Sequence, residues 1–238
     1  MPEAIGKINS IQTLGTVDGP GVRFVVFTQG CNLRCGCCHN PDTWDISGGT
    51  EYSAENLASK AERYKEYFGK EGGVTLSGGE PLLQSVFATE FFKACHKRGI
   101  NTCLDTSGSI LNDDVKELLR HTDLVLLDIK YTNDTDYKKY VGCSIEAPLK
   151  FLEYLNEKNI PVILRQVIIP TLNDKEENLT ELSKIIKGHP CIIKTELLPF
   201  KKICQMKYDK MNITFPFGNL PTPNSDDINN LQKQLEIL

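Results

Sequence analysis

The sequence lacks any apolar run approaching the ~18 residues of a membrane-spanning helix, which argues against an integral helical membrane protein. Its start, MPEAIGKINS, has none of the apolar stretch of a signal peptide and predicts a cytoplasmic chain. It has no basic block: 27 Lys and Arg stand against 31 Asp and Glu, a net charge of −4. That balance is poor for gripping nucleic acid. No repeat, low-complexity tract or Gly/Ser- or Pro-rich linker interrupts the 238 residues, so residues 1–238 read as one domain. With 40% apolar and 24% charged residues the composition is that of an ordinary globular protein. A chain of this length buries a core without covalent staples. What is present in excess is cysteine. Nine thiols, an odd number, without a secretion signal argue against a disulfide scaffold and for metal or redox chemistry.

Short β-branched runs alternate with amphipathic stretches. Strands are predicted over 22–28, 74–76, 102–104, 124–129, 162–169 and 192–197, each bounded by Gly, Pro, Asn or Asp. Ser53 is a predicted N-cap for a helix in which Leu57, Ala61, Tyr64 and Phe68 recur at three- and four-residue steps. Further helices are predicted over 82–98, 113–121, 147–158 and 174–187. The tail 200–223, rich in Lys, Asn and Pro, reads as loop, and Ser225 as the cap of a last helix. Strand–helix alternation predicts an α/β fold with a parallel sheet. Eight units would close a barrel. Six suggest a partial, TIM-like (β/α)6 barrel over about residues 20–200, or a doubly wound sheet, followed by a loop and helix over 201–238. Chemistry in such folds sits at the C-terminal strand ends. There this sequence has QGCNLRCGCCHN, SGGEP, DTSG, DIK and LLPFK, with Arg165 inside the fifth strand.

In Cys31-Asn-Leu-Arg-Cys35-Gly-Cys37-Cys38-His39-Asn40 four thiols and an imidazole fall within one short loop. Clustered thiolates suit a soft metal. A zinc site could be assembled from Cys31, Cys35, Cys37 or Cys38, and His39, but no second ligand pair follows downstream. An iron–sulfur cluster fits better. Cys31, Cys35 and Cys38 give a C-x3-C-x2-C spacing that can hold three irons of a cubane and leave a fourth open.

That spacing resembles the signature of radical S-adenosylmethionine enzymes. The longer stretches GTVDGPGVRFVVFTQGC and CHNPDTWD, with SGGEP, CLDTSG, LVLLDIK and ELLPF, are similar to the activating enzymes of glycyl radical enzymes. The resemblance runs through nearly the whole chain in the right order. It implies a [4Fe–4S] cluster on Cys31, Cys35 and Cys38, reductive cleavage of S-adenosylmethionine to methionine and a 5′-deoxyadenosyl radical, and hydrogen removal from a partner's glycine. It also implies cofactor contacts from Asn40, Gly78, Gly79, Glu80, Thr106, Asp128, Lys130, Arg165 and Val167. Gly78 and Gly79 would let the backbone approach the methionyl group, and Glu80 would pair with its ammonium. A turn, an ion pair for Arg165 and helix capping are the plain structural readings of the same residues.

The resemblance further implies a monovalent cation on Asp105, Thr106 and the Leu126 carbonyl, and a peptide contact at Asp18. Two positions depart from the family: Cys37 stands where an aromatic residue is usual, and Lys201 where a His often contacts adenine. Relatives serving other partners often carry a cysteine-rich insert after the first cluster. Residues 45–73 here contain no cysteine, which favours the branch whose partner is pyruvate formate-lyase. A flavodoxin donor, a monomer and anaerobic operation are implied at family level. Activation of another glycyl radical enzyme, a small-molecule radical enzyme, and a zinc or cluster relay protein are the alternatives. Cys95, Cys103, Cys143, Cys191 and Cys204 match no ligand spacing and are predicted to be small buried hydrophobes.

Overall fold

The computed structural model describes residues 3–238. In chain order the elements are β1 (Ile5–Gly15), β2 (Arg23–Thr28), β3 (Thr50–Ser53), α1 (Ala54–Glu62), α2 (Lys65–Phe68), β4 (Gly73–Gly78), α3 (Ser85–Lys97) and β5 (Asn101–Thr106). There follow α4 (Asp113–Leu119), β6 (Leu124–Asp128), α5 (Asp134–Tyr140), α6 (Glu146–Glu157), β7 (Val162–Ile168), α7 (Glu176–Gly188), β8 (Ile192–Pro199), α8 (Gln205–Lys210) and α9 (Ser225–Ile237). All six predicted strands are present, as β2, β4, β5, β6, β7 and β8. The fold is the predicted α/β class with a mostly parallel sheet.

Two compact units divide the chain. The first comprises Met1–Asn32 and Asp42–Leu126, the second Leu33–Pro41 and Leu127–Leu238. In the first unit the strand order is β3-β1-β2-β4-β5, followed by the start of β6. Strands β2, β4 and β5 are parallel neighbours. Strand β4 (GVTLSG) is buried along almost its whole length: Val74 and Leu76 are apolar, and the buried Thr75 and Ser77 hydroxyls donate to the Asp18 carbonyl and to Asp105. Helix α3 turns Phe87, Phe91, Phe92 and Cys95 inward, and Phe91 and Phe92 pack at 5.9 Å between ring centroids. In the second unit β7 and β8 pair in parallel, and α6 buries Phe151, Leu152 and Leu155.

Several predictions need correcting. Strands β1 and β3 are absent from the sequence reading because β1 carries Lys7, Asn9, Ser10, Gln12 and Thr13. What makes it a strand is pairing, antiparallel to β2 through two bulges and antiparallel to β3. The helix capped by Ser53, whose oxygen accepts from the Asn56 amide, stops at Glu62 and restarts as α2. The helix predicted from residue 82 begins as a 3-10 turn over Pro81–Gln84, and α3 proper starts at Ser85. The tail contains α8, and the last helix is capped by Asn224, not Ser225, in a capping box with Asp227. Helix α5 was also not foreseen: its polar heptapeptide offers little periodicity, and its start is fixed by the Asn133 cap.

Candidate active site

In the first unit the rim is built where β2 and β4 end. Gly30, with φ of +96°, turns the chain out of β2 towards Cys31. Its amide donates to the Thr43 carbonyl at 2.7 Å, and its own carbonyl accepts from the Glu80 amide at 2.9 Å. The Gly79 amide donates to the Thr28 carbonyl at 3.0 Å. A Cβ on Gly78 would stand 2.2 Å from the Thr28 nitrogen, and one on Gly79 2.0 Å from the Gly30 oxygen. The two glycines are thus required for the close approach of two backbones, a reason within the protein that the sequence reading did not consider.

Glu80 is buried at 1% exposure. Its carboxylate accepts from Thr106 Oγ1 at 2.6 Å, from the Leu82 amide at 3.1 Å, and from the Ser107 amide at 3.0 Å and its hydroxyl. Burial holds its pKa above the usual carboxylate range, against the downward pull of these donors. Asp105 accepts from Ser77 Oγ at 2.7 Å. The ends of β4 and β5 are therefore laced together through Glu80, Thr106, Ser107, Ser77 and Asp105. Thr106 and Asp105, predicted as cation ligands, already serve that lacing, and Leu126 is a buried residue of β6.

Gln29, unnoticed in the sequence, holds the same turn. Its amide nitrogen donates to the Asp42 and Asp45 carbonyls at 3.1 and 2.7 Å, and its oxygen accepts from Asn9 at 2.9 Å. A polar side chain immediately before Gly30-Cys31 was the available signal. Asp18 lies apart from this rim. It belongs to the turn between β1 and β2, where its carbonyl accepts from Thr75 Oγ1 at 2.7 Å. The six residues of β2 separate it from Thr28, about 20 Å at strand rise.

In the second unit residues 33–41 form the rest of the cysteine loop. The Arg34 amide donates to the Val141 carbonyl at 3.1 Å and the Gly36 amide to the Tyr140 carbonyl at 2.8 Å. Gly36 lies flat on Phe217, where a Cβ would come within 2.4 Å of the ring. Tyr208 donates its hydroxyl to the Cys38 carbonyl at 3.1 Å, Lys207 donates to Asn40 Oδ1 at 2.8 Å, and His39 Nε2 lies 2.9 Å from the Lys201 carbonyl. His39 is thus a structural residue, as predicted. Lys201 meets the loop through its backbone.

The thiols separate by environment. Cys31, Cys35 and Cys38 are half-buried, whereas Cys37 is buried, and none is in a disulfide. Burial pushes the Cys37 thiol up to about 12, against the pull of Lys130. A thiol held protonated is a poor metal ligand. The C-x3-C-x2-C spacing thus picks out the three half-buried thiols and leaves the buried one aside. Among the described residues no three His, Cys, Asp or Glu side chains are grouped around a position for a single metal ion. Of the remaining cysteines, Cys95, Cys103, Cys191 and Cys204 are buried as expected. Cys143 is half-buried instead, because it follows the Gly142 turn that ends α5.

Asp128, at the end of β6, receives Lys130 Nζ at 3.0 Å and Arg165 Nε at 3.1 Å. Strand alternation does put Asp128 and Lys130 on one side, and Arg165 has the partner that its burial demanded. Burial pushes the Asp128 pKa up, but the two cations outweigh it and hold the carboxyl below its usual range. Asn173, another buried residue the sequence did not flag, donates to the Lys130 and Val167 carbonyls at 3.2 and 2.9 Å. Lys130, Val167 and Arg165 are thereby fixed together at the β6 and β7 ends.

Comparison with known proteins shows the family. Residues 25–182 match the Radical SAM superfamily model. The chain belongs to the radical SAM superfamily. It is 44% identical to the pyruvate formate-lyase-activating enzyme of Clostridium pasteurianum, over 98% of both chains. It is 40% identical to the pyruvate formate-lyase 1-activating enzyme of Escherichia coli K12, over 98% of this chain and 96% of that one. Among solved structures, a domain of a pyruvate-formate lyase-activating enzyme from Bacteroides vulgatus aligns at TM-score 0.58 and 25% identity, over 70% of this chain and 94% of that one. Streptococcus suis SuiB bound to its precursor peptide aligns at TM-score 0.69 and 17% identity, over 89% and 44%, a likeness of fold alone. The radical SAM family is one of [4Fe–4S] clusters and S-adenosylmethionine. No helix among the described residues is long and apolar enough to cross a membrane.

Proposed function

We propose that this protein activates pyruvate formate-lyase by generating a glycyl radical on it. The observation that carries the reading is near-full-length similarity to activating enzymes, 44% over 98% of the chain, on a chain that keeps the accessible Cys31, Cys35 and Cys38. These three thiolates would hold one [4Fe–4S] cluster. When bound, the cluster and S-adenosylmethionine supply the radical that takes a hydrogen from the partner's glycine; the protein supplies orientation and a dry site. Gly78 and Gly79 would present backbone polar groups to the methionyl portion, beside Glu80, whose buried carboxylate an incoming ammonium would suit. Asp128, Lys130 and Arg165 form a rigid charged cradle for the ribose or methionyl carboxylate, with Val167 and Asn40 as further contacts. Asp105, Thr106 and the Leu126 carbonyl offer oxygens to a monovalent cation, provided that the Thr106–Glu80 bond yields. Asp18, about 20 Å from the rim at strand rise, would meet the extended peptide away from the reacting glycine. A flavodoxin as electron donor, a cytoplasmic monomer acting as a single domain, and anaerobic operation complete the reading.

Anaerobic reconstitution with iron and sulfide, then reduction and addition of S-adenosylmethionine and pyruvate formate-lyase, tests it. A glycyl radical in the partner with release of 5′-deoxyadenosine is the expected result. Cofactor cleavage without a partner radical would direct the activity to another substrate. A colourless zinc protein would overturn the cluster assignment.

A further inference from the structure

We infer that residues 201–214 of the second unit form a docking surface for a small acidic one-electron donor protein, an inference that rests on the function proposed above. The segment is held from beneath by an aromatic cluster. The Tyr208 ring packs on Phe215 at 4.7 Å, Phe215 on Phe200 at 6.1 Å, and Phe200 on Phe217 at 6.3 Å between centroids. Cys204, at the start of α8, is buried with them. The fold therefore uses one side of this segment fully, and what faces outward has no packing task.

The outward side has an unusual composition. Ile203 is 76% and Met206 68% exposed, and Met211 and Ile213 are exposed beside them. Single exposed apolar residues are ordinary; four within eleven positions on a rigid support make a patch, and patches rimmed by polar groups mark interaction sites. The rim is basic. Lys201, Lys202 and Lys210 stand against the single Asp209, in a chain whose net charge is −4, while Lys207 is turned inward to Asn40. Methionine on a contact surface adapts to more than one partner shape. Lysines around adaptable apolar side chains suit a brief, electrostatically steered contact with an acidic protein. A polyanion or a charged membrane would call for a continuous basic face instead.

The position singles out the partner. The inner side of this segment carries the cysteine loop, through Tyr208 to the Cys38 carbonyl, Lys207 to Asn40 and the Lys201 carbonyl to His39. A protein seated on Ile203 and Met206 is thus one short segment away from Cys38. A donor that gives up one electron per encounter, with no bond made or broken, needs that proximity, and weak electron-transfer contacts are small.

The test measures binding directly, with labelled flavodoxin as the acidic probe and fluorescence anisotropy as the readout. Lys202→Glu/Lys210→Glu should weaken binding about tenfold at low salt, and Lys202→Arg/Lys210→Arg should retain it. Ile203→Ser/Met206→Ser should weaken binding at every salt concentration. Far-ultraviolet circular dichroism and melting curves confirm that each variant is folded. Affinity for pyruvate formate-lyase, and the glycyl radical yield when dithionite replaces the protein donor, should not change. Flavodoxin binding indifferent to both pairs would overturn the docking surface. So would loss of pyruvate formate-lyase binding in its place, which would make this the substrate face. Failure of the dithionite reaction in the unmodified protein would instead sink the proposed function, while the binding result stood independently.

Discussion

Arg165 and Asp128 meet at 3.1 Å, Nε to Oδ1, with Arg165 otherwise enclosed in the apolar strand β7. Lys130 takes the second carboxylate oxygen at 3.0 Å. Removing the acid strands two buried cations, so Asp128→Ala should cost about 3–5 kcal/mol in denaturant unfolding. Asp128→Asn should cost less. Because the native carboxyl titrates below its ordinary value of 3.8, its contribution is complete above that pH and disappears as pH falls through the lower native value. The stability gap between the protein and Asp128→Asn should hold steady from neutral pH to about pH 5 and narrow below it. A gap that widens in acid would refute the pairing.

Gly79 and Gly188 should respond oppositely to alanine. At Gly79 the new methyl meets the Gly30 carbonyl oxygen at 2.0 Å and Thr43 Oγ1 at 3.3 Å, so backbone must shift. Gly79→Ala should lose about 1–3 kcal/mol and take iron incorporation down with it. At Gly188 nothing lies within 4 Å, and Gly188→Ala should be neutral or stabilising by roughly 0.4–1 kcal/mol. Melting temperatures of the two variants decide the matter.

Arg23 is fully buried without a carboxylate among its hydrogen-bond partners. Its guanidinium donates to Thr75 Oγ1, the Pro20, Glu71 and Val74 carbonyls, and Asn101 Oδ1. An ammonium offers three donors in another geometry. Arg23→Lys should therefore cost about 2–4 kcal/mol, with acceptors left unpaired. An unchanged urea midpoint would show that water replaces the lost donors.

Cys37 and Cys38 are neighbours with different fates. Cys38→Ser should abolish iron binding and the visible absorption of the reconstituted protein. Cys37→Ser should keep both, since a buried, protonated thiol is no ligand. Iron analysis per chain separates the two, and iron loss in the Cys37 variant would reverse the ligand assignment.

The six core strands were legible in the sequence because a strand buried on both faces must be largely apolar, as Phe24–Phe27 of β2 and Leu124–Leu127 of β6 are. The cysteine spacing and the Asp128–Lys130 alternation were legible for similarly local reasons. What escaped depended on partners distant in sequence. Lys7 and Asn9 look like loop residues until β2 and β3 pair with them. Asn173 and Gln29 look like ordinary turn residues until their amides are seen bridging carbonyls. The glycines of SGGEP were noticed, but the close backbone at Gly30 that demands them could not be read from composition.

Strand β1 also has a protective consequence. Without it, β2 would present one side of a long, nearly buried apolar strand, Phe24-Val25-Val26-Phe27, as an open template for another chain. Pairing moves the edge outward to β3, only four residues long and bearing the exposed Thr50 and Glu51. A protein cut before Gly15 should therefore aggregate through β2 rather than merely melt sooner. One eleven-residue strand, five of its side chains polar, thus keeps a radical enzyme from polymerising.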